Sequence, residues 1–439
     1  MSYYNLRHIY INKATMHMKI IPGKDAGITL SAPFSWCLSL LLQGGVKETV
    51  FFLKKSKNFL GGKVLGKGKL TKVFPGGNTA YGFYSFYDNI ISPDAARIFV
   101  IKGGPGVGKS TFMRKIGMTM LEAGYDVEFH CCSSDNGSLD GICIPQIGVA
   151  MLDGTAPHVV DPKNPGAVDE IIHLGDHWNE QGLRVKKKEI LAINKEVGRL
   201  FKHAYAYLAG AKLFLDEVES YYIESGSFNI GAFDRLVLEL IHNVFEGKPR
   251  ITENPRARHL FATAITPDGP VSHLETVVGS LDKRCIINGD DGTGKTTLVR
   301  RLMEAALARG YNVTAFHCAL NPYQIDHLVV HDLSIAIINN VEPHIYKPKN
   351  GDVVIDTIAC MDPVVNEAYL AEKGAARGMY RQCLEQAVSF IRRAKNMHDE
   401  MEKYYVPYMD FDAIDARRDK ILERILDLAA EARKPGNSF

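Results

Sequence analysis

The chain is poor in several things that would narrow its class. Two of its 439 residues are Trp, and its eight cysteines form no Cys-x-x-Cys pair. Thiols so scattered in so long a chain exclude a disulfide framework and read as the reduced thiols of a cytoplasmic protein. Net charge is nearly absent: 52 Lys and Arg against 50 Asp and Glu leave +2, which gives no specific nucleic-acid signal. No apolar run reaches the roughly 20 residues that span a bilayer. The nearest, Ala26–Leu42, is broken by Pro33, Thr29 and three serines. With 39 Gly, 19 Pro and 46% hydrophobic residues, collagen-like and low-complexity chains are excluded as well. The length leaves room for two or three domains, each with its own core.

The near-neutrality hides an uneven distribution. Residues 1–70 carry 11 Lys or Arg against Asp25 and Glu48, whereas the rest carries 41 basic and 48 acidic residues. Three readings compete for this basic N-terminal extension: a membrane- or polyanion-touching segment, a targeting leader, or translated sequence upstream of the true start. The third is preferred, with weak order expected throughout. It also accounts for Gly61–Lys69, a Gly/Lys-rich run with no packing pattern.

What the remainder does have is a duplication. Gly103-Gly-Pro-Gly-Val-Gly-Lys109-Ser110 is matched by Gly289-Asp-Asp-Gly-Thr-Gly-Lys295-Thr296, 186 positions later. Near that displacement Phe74-x4-Thr79-x2-Gly82 matches Phe261-x4-Thr266-x2-Gly269, and Phe129-His-Cys131 matches Phe316-His-Cys318. Pro157-His158 likewise matches Pro343-His344. Repeat one therefore spans 72–245 and repeat two 258–439, joined by a Pro- and Gly-bearing linker at 246–257. In each, a strand (Arg97–Ile101; Cys285–Ile287) enters the glycine loop and an amphipathic helix follows (Ser110–Ala123; Thr296–Arg309), stopped by Gly124 or Gly310. Further strands are predicted at Asp126–Cys131 and Ile147–Leu152 and at their counterparts. Helical spacing then fills Trp178–Tyr222 and Val364–Tyr405, and one more amphipathic helix closes each repeat. The predicted fold is α/β: two tandem domains of parallel sheet flanked by helices, each with an added helical hairpin, packed as an intramolecular pseudo-dimer.

G-x-x-x-x-G-K-[ST] between a strand and a helix is the phosphate-binding P-loop. Its glycines let successive backbone N–H groups face phosphate oxygens, and the helix N-terminus adds its dipole. The expected cradles are Gly103, Gly104, Pro105, Gly106, Val107, Gly108, Lys109, Ser110 and Thr111, and Gly289, Asp290, Asp291, Gly292, Thr293, Gly294, Lys295, Thr296 and Thr297. Lys109 and Lys295 would reach the terminal phosphates, and the Ser110 or Thr296 hydroxyl would meet Mg²⁺. An acid ending a neighbouring strand completes such a metal shell. Asp153, after Val149-Ala-Met-Leu152, is the candidate in repeat one. The corresponding residue of repeat two is Asn339, which lacks the charge, so site one is expected to be the more catalytic; Asp332 is an alternative acid. Asp135, Asp140 and Asp326 are candidates to position a water, and the repeated histidines candidates for contact with a substrate or nucleotide.

Together with Phe74-Pro-Gly-Gly-Asn-Thr79, Gly82-Phe-Tyr-Ser-Phe-Tyr-Asp88, His130-Cys-Cys-Ser-Ser-Asp135 and Asp153-Gly-Thr-Ala-Pro-His158, these loops give the resemblance. The chain resembles the P-loop NTPases and, within them, a bacterial family of duplicated P-loop ATP-binding proteins. That resemblance covers about residue 72 to the end. It implies ATP binding with Mg²⁺ and ATP hydrolysis, without an established substrate. Asn194-Lys-Glu-Val197 lacks the Asp of a guanine reader, and no LSGGQ-type signature is present. The alternatives are a small-molecule or nucleotide kinase and a nucleotide-gated module that grips a protein partner through its helical arms.

Overall fold

The computed structural model describes residues 9–11, 18–20, 66–155, 159–362 and 369–433. Two compact units divide the chain, residues 1–63 and 64–439. In the first, β1 (Ile9–Ile11) pairs antiparallel with β2 (Met18–Ile20); the other readings of the N-terminal extension lie outside the described residues. The second unit takes in part of the run that carried no packing pattern. Gly68 is held where a Cβ would lie 1.9 Å from the Tyr125 carbonyl oxygen, and Lys69 donates to Ser280 Oγ at 2.6 Å.

Two six-stranded sheets are built on one plan. The first contains β3 (Leu70–Val73), β6 (Arg97–Lys102), β7 (Val127–Cys131), β8 (Leu139–Ile144), β9 (Val149–Asp153) and β10 (Asp169–His173), in the order β3-β7-β8-β9-β6-β10. The second contains β11 (Ala257–Leu260), β14 (Lys283–Asn288), β15 (Val313–His317), β16 (Ile325–Val330), β17 (Ile335–Asn339) and β18 (Val353–Asp356), in the matching order β11-β15-β16-β17-β14-β18. Hairpins β4–β5 (Gly76–Thr79, Gly82–Ser85) and β12–β13 (Thr263–Thr266, Gly269–Ser272) accompany them.

The sheets are mixed rather than purely parallel. β8 and β16 run antiparallel to both neighbours. Both escape detection in the sequence because Asp140-Gly141 and Asp326-His327 interrupt their apolar runs, although every residue of the two strands is buried. Register also corrects one detail of the duplication. His130 lies opposite Gly141 and Phe316 opposite His327, and a bulge follows each. His130 is therefore the counterpart of Phe316, and Cys132 that of Cys318. A one-residue slip changes the face on which a side chain stands, so the shared Phe-His-Cys is a coincidence of letters.

The helices depart most from expectation. Among the described residues they are α1 (Lys109–Glu122), α2 (Glu180–Val185), α3 (Lys187–Glu224), α4 (Ile230–Phe245), α5 (Leu274–Val278), α6 (Lys295–Ala308), α7 (Leu370–Tyr405) and α8 (Phe411–Ala432). Among the described residues no helical hairpin forms within a repeat. Instead α3 of repeat one lies antiparallel along α7 of repeat two, with Ala204, Leu208 and Ala211 packed against Ala387, Val388 and Ile391. Beyond these arms the closing helices change places. Helix α4 buries Phe233, Val237, Leu240 and Val244 against Leu298 and Leu302 of α6 in the second half. Helix α8 docks on the first half, where Arg424 makes two bonds to Glu170 at 2.8 and 2.6 Å. Related ion pairs fix both junctions, Lys115–Asp415 and Arg301–Asp234. Asn229 and Asp410 cap the two exchanged helices through the N–H groups of Ala232 and Ala413.

The two halves meet along a quasi-symmetric seam. Phe74 and Phe261, counterparts in the duplication, exchange backbone hydrogen bonds of 2.9 and 3.0 Å. Arg258 grips Glu128 through two bonds, 2.9 and 2.6 Å. Burial alone would raise the Glu128 carboxyl, but Arg258 and His130 hold it well below the usual carboxylate range. His259 Nδ1 lies 2.9 Å from His317 Nε2, and burial pushes His317 down to about 4. Free imidazole titrates near 6.5. The preference for neutral His317 therefore stabilises the fold fully above about pH 6.5 and is lost as pH falls towards 4. The depressed Glu128 carboxyl adds to the loss only below about pH 4.3. The urea midpoint of the full chain should drop between pH 7 and pH 4.5, and His317→Gln should flatten that decline; an unchanged slope would remove His317 from the account.

Candidate functional site

Each glycine loop spans the gap between the strand and the helix that the sequence assigned to it. Strand β6, with Phe99, Val100 and Ile101 fully buried, points the chain at the loop, and Lys109 opens α1. Gly106 (φ +67°) and Gly108 (φ +85°) adopt left-handed backbone, as do Gly292 (+82°) and Gly294 (+88°). Such conformations turn neighbouring N–H groups to one side and make an anion nest at the helix N-terminus. Both lysines fold back over their own loops. Lys109 Nζ donates to the carbonyls of Gly103 (3.0 Å) and Gly104 (2.8 Å), and Lys295 Nζ to those of Gly289 (2.8 Å) and Asp290 (2.5 Å). The loop interiors differ in chemistry. In loop one, Val107 packs beneath Gly103 beside Leu174; in loop two, Thr293 Oγ1 donates to the Asp290 carbonyl and meets Thr357 Oγ1 at 2.7 Å.

Asp153 ends β9 beside the loop strand, level with Ile101, and Asn339 ends β17 level with Ile287. The two are counterparts in register as well as in sequence. Asp153 Oδ2 lies 3.6 Å from Lys109 Nζ, and its Oδ1 accepts from the Thr155 N–H at 2.8 Å. Ser110 Oγ accepts from the Leu139 N–H. Asn339 instead donates to the buried Asp326 at 3.3 Å. Burial raises the Asp326 carboxyl, opposed by His344 and then Asn339, which favours its neutral form. Asp332 precedes β17 in a 3-10 turn at the opposite edge of the sheet, about 17 Å from the loop at 3.3 Å per residue. It is not available to site two.

The remaining candidates disperse. Asp140 is buried, and Asp135 takes the Gly137 N–H and lies 3.6 Å from Lys395 of α7. His130 is buried 3.4 Å from Glu128, and His317 belongs to the seam. His344 is buried 3.8 Å from Asp326, and its sequence partner His158 lies outside the described residues. Thr111 is exposed and Thr297 half-buried on their helices. Among the described residues no group of three or more His, Cys, Asp or Glu is arranged to hold a metal ion unaided. Mg²⁺ commonly takes one or two protein oxygens, with phosphate and water supplying the rest, so Ser110 and Asp153 suit it better than a closed cage would.

Sequence reasoning missed what covers the loops. The last turn of α7 closes on loop one: a Cβ on Gly104 would meet Tyr405 at 2.8 Å, and one on Gly106 would meet Glu402 and Val406 at 3.2 Å. The last turn of α3 closes on loop two, where Tyr222 and Glu219 face Gly292. Tyr222 Oη donates to Asp290 Oδ2 at 2.7 Å. Arg377 of α7 stands 3.8 and 3.6 Å from Asp290 and Asp291, which places a cation beside the two unexpected acids. A signal was there to find. Lys212-x3-Asp216-Glu-x-Glu219-x-Tyr-Tyr222 recurs as Lys395-x3-Asp399-Glu-x-Glu402-x-Tyr-Tyr405, displaced by 183 rather than 186. No family model, no curated protein and no solved structure matches this chain.

Proposed function

We propose that the chain is a P-loop NTPase of the cytoplasm that binds ATP with Mg²⁺ at both glycine loops and hydrolyses it, chiefly at the first. The observation that carries this reading is Lys109 at the head of α1, after left-handed Gly108 and 3.6 Å from Asp153. The lysine is then free to exchange two loop carbonyls for phosphate oxygens, and Asp153 and Ser110 would hold the metal. Mg²⁺, when bound, neutralises charge on the phosphates and polarises them for attack. Loop two suits binding better than turnover. Asn339 is neutral, burial lowers the Lys295 ammonium against the pull of Asp291 and Asp290, and the loop acids are already engaged by Tyr222 and Arg377.

A cavity of about 170 Å³ adjoins loop one, bounded by Gly108, Thr111, Lys115, Phe411 and Asp415. Phe411, Ile414 and Asp415 of α8, a helix of the other repeat, wall this space, which favours a second reading in which ATP gates the arms and any protein partner they hold. The test is Mg·ATP binding and phosphate release by the full chain and by Asp153→Asn. The variant should keep ATP binding without Mg²⁺ and lose about 100-fold in phosphate release, the scale of a lost charge in a transition-state site. Undiminished release would remove Asp153 from the metal shell.

A further inference from the structure

The two junctions between an exchanged helix and the half it docks on are built alike but charged differently. On the first half, a cavity of about 310 Å³ lies between α8 and the 3-10 turn Leu174–His177 that follows β10. His173, Asp176 and His177 line it from the side of the turn, and Arg417 and Lys420 from α8. Arg417 and Lys420 are three residues apart and so share one face of the helix. Other arginines of α8 are engaged: Arg418 bonds Asp419 at 2.8 Å and Arg424 bonds Glu170. Arg417 and Lys420 make no hydrogen bond or ion pair among the described residues. Asp176, the carboxylate of this wall, is already taken by His173 Nδ1 at 2.8 Å. That bond, with His177 and Arg417 nearby, holds the Asp176 carboxyl below its usual range.

The second junction shows that packing does not call for these cations. Strand register sets His173 beside Lys102 and Asp356 beside Asn288, which makes His173 and Asp356 counterparts. The caps Asp410 and Asn229, and the ion pairs Lys115–Asp415 and Arg301–Asp234, align α8 with α4. On that alignment His173, His177, Arg417 and Lys420 become Asp356, Cys360, Leu236 and Glu239. The second junction keeps its cap and its ion pair with none of those four side chains. Two cations without a partner, facing a cavity whose carboxylate is already engaged, are the chemistry of an oxyanion site. The guanidinium offers parallel N–H groups to one phosphate, and the ammonium adds a compact charge.

We propose that this cavity binds a phosphate group, free or carried as a small phosphomonoester, on Arg417 and Lys420. The ligand bridges the turn of repeat one and the exchanged helix of repeat two. Leu174, the first residue of that turn, lies with Val107 against Gly103 of loop one. The opposite face of α8, through Phe411 and Ile414, walls the cavity at loop one. A phosphate held here therefore pins the helix that borders loop one, whatever either glycine loop binds.

The experiment is titration calorimetry of the full chain with inorganic phosphate, glycerol 3-phosphate and acetate. It compares the native chain with Arg417→Gln/Lys420→Gln and with Lys109→Ala/Lys295→Ala. The first variant should bind phosphate at least tenfold more weakly, the effect of losing one charge-assisted hydrogen bond. Its ligand-free thermal midpoint should stay within about 2 °C of the native value, since neither side chain has a partner to lose. The loop-lysine variant should keep phosphate affinity within about threefold of native. Tighter binding of glycerol 3-phosphate than of phosphate supports an esterified ligand, and the reverse supports the free ion. Phosphate binding lost in the loop-lysine variant and kept in the other overturns the proposal, because the anion then sits in the glycine loops. No phosphate binding up to about 10 mM, or acetate bound as tightly as phosphate, overturns it as well. If the double glutamine variant unfolds, Lys420→Gln alone replaces it: a threefold or greater loss of phosphate affinity is expected, and unaltered affinity overturns the proposal.

Discussion

Lys109→Ala should release phosphate from ATP at least 100-fold more slowly than the native chain, whereas Lys295→Ala should lose no more than about tenfold. The two lysines occupy the same place on the same fold, so the difference comes from their neighbours. Lys109 faces Asp153 and a loop whose third residue is Pro105; truncation removes the cation that developing negative charge on the terminal phosphate would meet. Lys295 is buried among Asp290, Asp291 and Asp326, with neutral Asn339 at the position that Asp153 holds in the first sheet. Its removal should register instead as loss of the second equivalent of bound nucleotide in a titration. Equal losses of turnover from both substitutions would refute the asymmetry read from Asn339.

The second large effect concerns folding. Residues 66–245 and 246–433, produced as separate pieces, should each fail to give a cooperatively folded monomer. Mixing them during refolding should restore the native near- and far-ultraviolet circular dichroism. Helix α4 carries Phe233, Val237, Leu240, Val244 and Phe245 into the core of the other half. At about 1.5–3 kcal/mol for each buried side chain, losing that surface costs on the order of 10 kcal/mol, comparable with the whole net stability of a typical domain. The first piece also loses α8, which buries Ile414, Ile421 and Ile425 on it. A monomeric 66–245 piece with a sharp unfolding transition would sink the idea of an obligatory exchange.

The loops, the strand entering each and the helix leaving each were legible because glycine spacing and helical periodicity are local. Asn339 opposite Asp153 was legible for the same reason, and strand register agrees with it. The antiparallel β8 and β16 were hidden by polar residues that the fold buries, Asp140 and Asp326 among them. The exchange of α4 and α8 could not be read at all. Periodicity tells that Phe233, Val237 and Leu240 share a face, but two copies of one sheet offer two equivalent surfaces for it. Residues from the opposite repeat that close each loop are likewise invisible to any pattern confined to one repeat. Only the second displacement, 183 against 186, could have hinted that the arms belong to a separate geometric unit.

The long helices also impose a restriction of a different kind. Each begins beside one loop and ends on the other, so its length is a ruler set by the distance between two sites. A residue inserted midway through α3 would push Tyr222 about 1.5 Å along the axis and swing it by roughly 100°, carrying Glu219 off loop two. The start of α3 would be undisturbed. The arms can therefore vary in composition, as Leu213–Leu215 and Asn396–His398 have done, while insertions and deletions are barred unless both rulers change together.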